Sequence, residues 1–138
     1  MRVALRDPML TICRVKGTNG MVRELTSILD FNSEYCAMFS NDALALGYTE
    51  ASFRPSHWQK THPDKAPFIL DFRGIERSIL FTLKEVSVGR MAAENVDTVL
   101  IELGIPRLVP FDMIIGRSFL KNFKMTIDMK KSSLSLSR

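Results

Sequence analysis

The chain has 138 residues, of which 46% are hydrophobic and 25% charged, enough for one domain with a real core and too few for two. That balance belongs to a folded globular protein and excludes a disordered chain. The net charge is +4, from 19 Lys and Arg against 15 Asp and Glu, but the basic residues are scattered and only Lys130 and Lys131 are adjacent, which argues against a nucleic-acid role.

The two cysteines, Cys13 and Cys36, sit in apolar strand-like runs. They read as small buried hydrophobes of a reducing compartment rather than as a disulfide framework. The first ten residues, MRVALRDPML, carry Arg2, Arg6, Asp7 and Pro8 and so lack the apolar centre of a signal peptide. No window approaches the length of a membrane span. The expectation is a cytoplasmic protein without a membrane partner.

Taken in chain order, residues 9–16 alternate apolar and polar side chains as a half-buried strand does. GTNG follows, and its Asn19-Gly20 pair suits a tight hairpin. The return strand, Met21 to Asp30, begins by alternating and ends in the apolar pair Ile28-Leu29, so Asp30 terminates it. SEYCAMF is a second short strand. Ser40 and Asn41 are placed to cap a helix of about two turns over NDALALGY, closed by Gly47. From Glu50 to Pro67 the chain is loop-like, with Pro55, Pro63 and Pro67, and reads as an insertion within one domain.

Residues 67–89 read as two strands around Arg73-Gly74, and NVDTVLIELG as another. PFDMIIG carries an apolar strand into Gly116, RSFLKNF makes a short helix, and the last thirteen or so residues form two strands turning near Lys130-Lys131. The expected architecture is one mostly β domain over residues 1–138 with one or two short helices.

The tetrapeptide ILDF occurs twice, as Ile28-Leu29-Asp30-Phe31 and again as Ile69-Leu70-Asp71-Phe72. A carboxylate against an apolar strand costs free energy unless something pairs with it or uses it. Asp30 is either a turn aspartate capping backbone N–H groups after a strand or a carboxylate that does chemistry. Asp71 reads as a solvent-facing residue of a hairpin. His57, His62 and Asp64 lie in one proline-containing loop with no further histidine in the chain, too few donors for a zinc site. Neither a metal nor a cofactor is expected. Trp58 is suited to pinning that loop to the domain, and the eight methionines to core filling.

The stretch from Ile114 to Leu136, IIGRSFLKNFKMTIDMKKSSLSL, resembles the C-terminal signature of retropepsin-like aspartic proteases. Two aliphatic residues, a glycine and a short helix near Phe119-Leu120 there precede terminal strands. Ile28 to Tyr48 is similar to the family's other half, in which an Asp-Thr-Gly loop is followed by a strand and a short helix ending in leucine-glycine. The resemblance implies a closed β-barrel of the acid protease type that assembles as a homodimer, with Asp30 as the catalytic residue. Two such aspartates share a proton, one acting as general base on water and the other as general acid on the scissile carbonyl. It further implies a peptide or protein substrate bound between Asp30 and a covering hairpin over residues 68–83. Phe31, Asn32 and Ser33 would then be substrate-binding residues of the loop, and Arg73 and Gly74 those of the hairpin tip.

Where the family has Asp-Thr-Gly, this chain has Asp30-Phe31-Asn32. Ser33 fits the pattern; Phe31 cannot donate the threonine's hydrogen bond, and Asn32 adds a side chain where the family has none. Two functions are therefore expected: an aspartic endopeptidase, or a catalytically inactive homodimer of the same fold that binds a peptide or protein partner. The apolar positions Met125, Ile127 and Met129 suggest a sheet shared between the two copies.

Overall fold

A computed structural model describes residues 2–4, 10–55, 79–101 and 110–138. The first strand, β1, spans Arg2–Ala4. Strand β2, Leu10–Lys16, buries alternate positions, with Cys13 and Val15 inside and Ile12 and Arg14 outside. The return strand β3 spans Val22–Leu29 and pairs antiparallel with β2 from Leu10↔Ile28 to Lys16↔Val22. At the hairpin tip Gly20 has φ 81° and its N–H donates to the Gly17 carbonyl at 3.2 Å, while the Gly17 N–H reaches Met21 O at 2.9 Å. The connection is a three-residue loop with glycine in the left-handed position, one residue longer than the tightest hairpins.

Strand β4, Cys36–Phe39, is buried along its whole length. Helix α1, Ser40–Ala45, follows directly. The expected Ser40-Asn41 cap is corrected here: Ser40 is already helical, and Phe39 occupies the cap position in an extended conformation (φ −72°, ψ 146°) with no side-chain hydrogen bond. The strand hands its last residue straight to the helix, so no polar cap intervenes. The helix C-terminus is as expected. Gly47 has φ 93°, its N–H donates to Leu44 O at 3.0 Å, and the Tyr48 N–H donates to Ala43 O at 3.1 Å. These two bonds are the Schellman closure.

A single 3-10 turn over Glu50–Ser52 leads into β5, Arg54–Pro55. Strand β6, Ile79–Val88, and strand β7, Met91–Ile101, form a long antiparallel hairpin. It turns at Gly89-Arg90, with Gly89 at φ 60°, the first central position of a type II′ turn. Strand β7 therefore begins four residues before the sequence expectation at Asn95. Strand β8 is Met113–Ile115, helix α2 is Arg117–Leu120, and the chain ends in the hairpin of β9, Lys124–Asp128, and β10, Ser133–Ser137. Arg73, Gly74, Asp71, His57, Trp58, His62 and Asp64 lie outside the described residues, so the hairpin tip expected at 73–74 does too.

Seven strands make one sheet in the order β2-β3-β8-β4-β7-β6-β5, and β2 also pairs with β6. That last pairing, Arg14↔Ser87 through Lys16↔Glu85, closes six of the strands into a barrel. A separate three-stranded sheet, β1-β10-β9, carries the chain ends. Closure removes the exposed sheet edges that an open β-sheet would leave.

The core fills the barrel. Cys13, Val15, Leu25, Met38, Phe81, Leu83, Val86, Val96, Leu100, Met113, Ile115 and Phe119 belong to one cluster, and Leu134 and Leu136 close it from the terminal sheet. Tyr48 and Phe53 pack on Phe81, with ring centroids 4.9 Å and 5.8 Å away. A second, smaller cluster on the other face joins Ala37, Phe39, Leu80, Val99, Ile101 and Ile114. Strand β4 lies between β8 and β7, so both of its faces are covered and four successive apolar residues are tolerated. Met125 and Ile127 pack against the chain's own core, whereas Met129 is 69% exposed. Among the described residues no helix is long and apolar enough to cross a membrane.

Candidate active site

Strand order creates the site. Strand β8 lies between β3, its parallel neighbour, and β4, its antiparallel one. The chain leaving β3 must therefore cross the end of β8 to reach β4, and residues 30–35 make that crossing. The ladder with β8 runs one residue past the strand: Leu29 lies opposite Ile115, and the Asp30 N–H donates to Ile115 O at 3.0 Å. Asp30 is thus anchored through its backbone while its side chain stands half-exposed at the strand end.

Both carboxylate oxygens are held. Oδ1 accepts the Asn32 N–H at 3.0 Å, closing an Asx turn, and Oδ2 accepts the Ser33 hydroxyl at 2.7 Å. The Ser33 N–H donates to the Asp30 carbonyl at 3.3 Å. Ser33 is only 3% exposed and lies beneath the carboxylate, whereas Phe31 is 37% exposed and Asn32 is exposed. Among the described residues the non-glycine positions with positive φ are Asn95 and Ser132, so Asn32 sits in an ordinary backbone region. This turn does not need glycine for its φ.

The far side of the crossing is equally fixed. The Arg117 N–H donates to Ser33 O at 2.8 Å. A Cβ on Gly116 would stand 2.1 Å from Tyr35 O and 2.9 Å from Ser33 O, so the two backbones touch where any side chain would separate them. The Gly116 N–H points at Cys36 Sγ, 3.4 Å away. Ser118, 7% exposed, accepts the Cys36 N–H at 2.9 Å and donates its hydroxyl to Asp97 O at 2.7 Å. Helix α2 thereby ties β4 to β7 directly behind the loop.

Neither thiol is a nucleophile at neutral pH. Burial pushes Cys13 up to about 12, with the nearby Cys36 adding to the shift, and burial also pushes Cys36 up. The Cys13 thiol donates to the Met113 thioether at 3.6 Å. Both cysteines are free and buried. Among the described residues no group of three or more His, Cys, Asp or Glu is arranged to hold a metal. An open recess of about 230 Å³ at the barrel seam is lined by Arg14, Lys16, Val22, Glu85 and Ser87, a lining that does not include Asp30.

Of the residues singled out in the sequence, Asp30, Phe31, Asn32 and Ser33 form one turn, and Arg73 and Gly74 fall outside the described residues. Sequence reasoning missed Ser118 and Asp97. Nothing local marks them, because their partner Cys36 is 82 residues from Ser118. Gly116 was visible as the end of an aliphatic run, but its contact with the 30–35 crossing was not.

No protein-family model and no curated protein matches the sequence. Solved structures do. The chain is similar to a retropepsin-like aspartic protease from Rickettsia conorii, with TM-score 0.58 and 18% identity, over 99% of this chain and 88% of that one. It is also similar to the retroviral protease-like domain of Ddi1 from Leishmania major, with TM-score 0.51 and 16% identity, over 94% and 87%. A six-stranded closed barrel and two short helices agree with that likeness: the chain has the retropepsin-like aspartic protease fold.

Proposed function

We propose that this chain is an aspartic endopeptidase whose reaction centre is a pair of Asp30 carboxylates at the axis of a homodimer. The observation that carries the reading is the double hydrogen bonding of Asp30 by its own turn, Asn32 N–H to Oδ1 and Ser33 hydroxyl to Oδ2. These bonds fix the carboxylate's orientation at a half-exposed strand end, as a reacting group requires. One carboxylate per chain is half a centre. Two at hydrogen-bonding distance hold one proton between them, since like charges so close do not both ionise.

In the reaction the ionised member takes a proton from water, and the oxygen attacks the peptide carbonyl. The protonated member gives its proton to the carbonyl oxygen. The resulting gem-diol collapses as a carboxyl group returns a proton to the leaving nitrogen. Asn32, exposed beside Asp30, flanks the peptide, and Phe31 lies between it and the axis; Ser33 acts through the carboxylate it holds.

A second reading, an inactive homodimer that binds a peptide or protein partner, is favoured by Phe31 and Asn32 at positions where the family has threonine and glycine. The experiment is cleavage of a mixed library of extended peptides, followed by mass spectrometry, for the wild type and Asp30→Asn. New termini made by the wild type and absent from Asp30→Asn are expected of the enzyme. Peptide binding without cleavage, unchanged by Asp30→Asn, would establish the binder instead.

A further inference from the structure

Asp30 and Phe31 are consecutive, and that adjacency constrains any assembly in which two Asp30 carboxylates meet. Carboxylates that share a proton have oxygens about 3 Å apart, so the two-fold axis passes between them. In an isologous interface every residue close to the axis faces its own counterpart. The Cα of Phe31 is one trans peptide, about 3.8 Å, from that of Asp30. The Phe31 backbone would therefore lie close to the axis, within a side chain's reach of the partner's copy of the same turn.

The ring suits that place. Phe31 is the one aromatic residue in the exposed class among the described residues, at 37%, whereas Phe39, Tyr48, Phe81 and Phe119 are at most 4% exposed. Its platform is rigid, because the turn is closed by Asn32 N–H and Ser33 hydroxyl to the Asp30 carboxylate and pinned by Arg117 N–H to Ser33 O. A large apolar side chain held in water on a rigid turn gains most by meeting a surface of the same kind.

We propose that the Phe31 rings of two copies pack across the two-fold axis, holding the Asp30 turns together by apolar contact and shutting bulk water from the space beneath the carboxylates. This contact rests on the dyad reading above. It also accounts for a phenylalanine where a cross-axis hydrogen bond has no donor. Burying the exposed 37% of two rings removes roughly 150 Å² from water, and at the usual area coefficient that contact strengthens the dimer by roughly a hundredfold to a few thousandfold.

The test is sedimentation equilibrium of the full chain at low and high salt, for the wild type, Phe31→Ala, Phe31→Leu and Asp30→Asn, with circular dichroism of each. A wild-type dimer is expected, with its dissociation constant raised at least tenfold by Phe31→Ala, largely restored by Phe31→Leu, and not raised by 1 M salt. Phe31→Cys, incubated with oxidised glutathione, should form a disulfide-linked dimer, since the native thiols Cys13 and Cys36 are buried. A Phe31→Ala dimer as tight as the wild type, together with no disulfide from Phe31→Cys, overturns the contact. The dyad reading survives that result if Asp30→Asn still abolishes cleavage. A wild type that is monomeric throughout the micromolar range overturns both.

Discussion

Replacing Asp30 by Asn separates a turn cap from one half of a catalytic pair by the sign of its effect on stability. In a single chain the carboxylate accepts two hydrogen bonds, at 3.0 Å from Asn32 and 2.7 Å from Ser33. Asparagine keeps the first through its carbonyl oxygen and offers its NH2 to a Ser33 oxygen turned to accept. What it loses is charge assistance. Hydrogen bonds to charged groups contribute about 1.5–3 kcal/mol against about 0.5–1.5 kcal/mol for neutral ones, and a half-exposed site lies at the low end, so the isolated turn weakens by about 1 kcal/mol. For a domain of this size that lowers the melting temperature by about 3–5 °C. In a dimer whose Asp30 groups meet, the same substitution removes the cost of holding two carboxyl groups together at neutral pH, and the loss is cancelled or reversed. Melting curves at neutral pH should therefore cross: Asp30→Asn melts below the wild type in dilute solution, where single chains dominate, and at or above it at high concentration. A variant that melts lower by the same few degrees at every concentration would make Asp30 a structural cap and remove the dyad.

Gly116→Ala should cost about 3 kcal/mol or more in urea titration, because its Cβ would stand 2.1 Å from the Tyr35 carbonyl oxygen and the backbone, unlike a side chain, cannot swing away. A cost under about 1 kcal/mol would mean that the 30–35 crossing is looser than its hydrogen bonds suggest. Alkaline stability is set partly by Cys13. Its folded value, about 12, lies above the ordinary 9.0, so the unfolded chain loses the proton first and stability falls as pH rises through that interval. At about 1.36 kcal/mol per pH unit the fall is on the order of 4 kcal/mol, and Cys13→Ala should flatten that slope relative to the wild type in denaturant titrations from pH 8 to 11. Equal slopes for the two proteins would show that the thiol is reached by solvent before global unfolding.

The parts of the fold that were legible in the sequence are those whose cause is local. Asn19-Gly20, Gly47 and the run into Gly116 each mark a turn by chemistry confined to a few residues, and each stands at an element boundary. The start of β7 was not legible, because MAAEN carries no strand signature; it is strand because β6 supplies a partner from Val88↔Met91 onward. Ser40 looked like a cap because serine commonly is one, yet the strand-to-helix junction leaves Phe39 in that place. Arg54 was read as part of a loop, but it ties β5 to the barrel through Asp97 at 2.8 Å and Thr82 at 3.1 Å. In the candidate site, the place of Asp30 at a strand end was legible from Ile28-Leu29, while the bonds that orient it are not sequence features at all. They exist because β8 inserts between β3 and β4 and forces the chain to turn over its end.

The turn over β8 divides its residues into two groups with different tolerances. Ser33, Cys36, Gly116 and Ser118 face inward: the Cys36 and Ser118 side chains each accept a buried backbone N–H, Gly116 meets backbone that leaves no room for a side chain, and Ser33 holds the Asp30 carboxylate. Substitution there is opposed by the fold itself. Phe31 and Asn32 face outward, and neither donates a side-chain hydrogen bond on which the turn depends; Asn32 contributes its backbone N–H, which most residues have. The fold can therefore be kept while these two positions change, and a chain can depart from Asp-Thr-Gly at them without moving its aspartate. In the proposed dimer, the outward residues are the ones that would meet a second copy. A threonine at position 31 favours a polar contact, and a phenylalanine favours an apolar one that tightens with salt rather than loosening. On the proposed reading, the chemistry of residue 31 governs assembly, and assembly is what would bring a second carboxylate to the first.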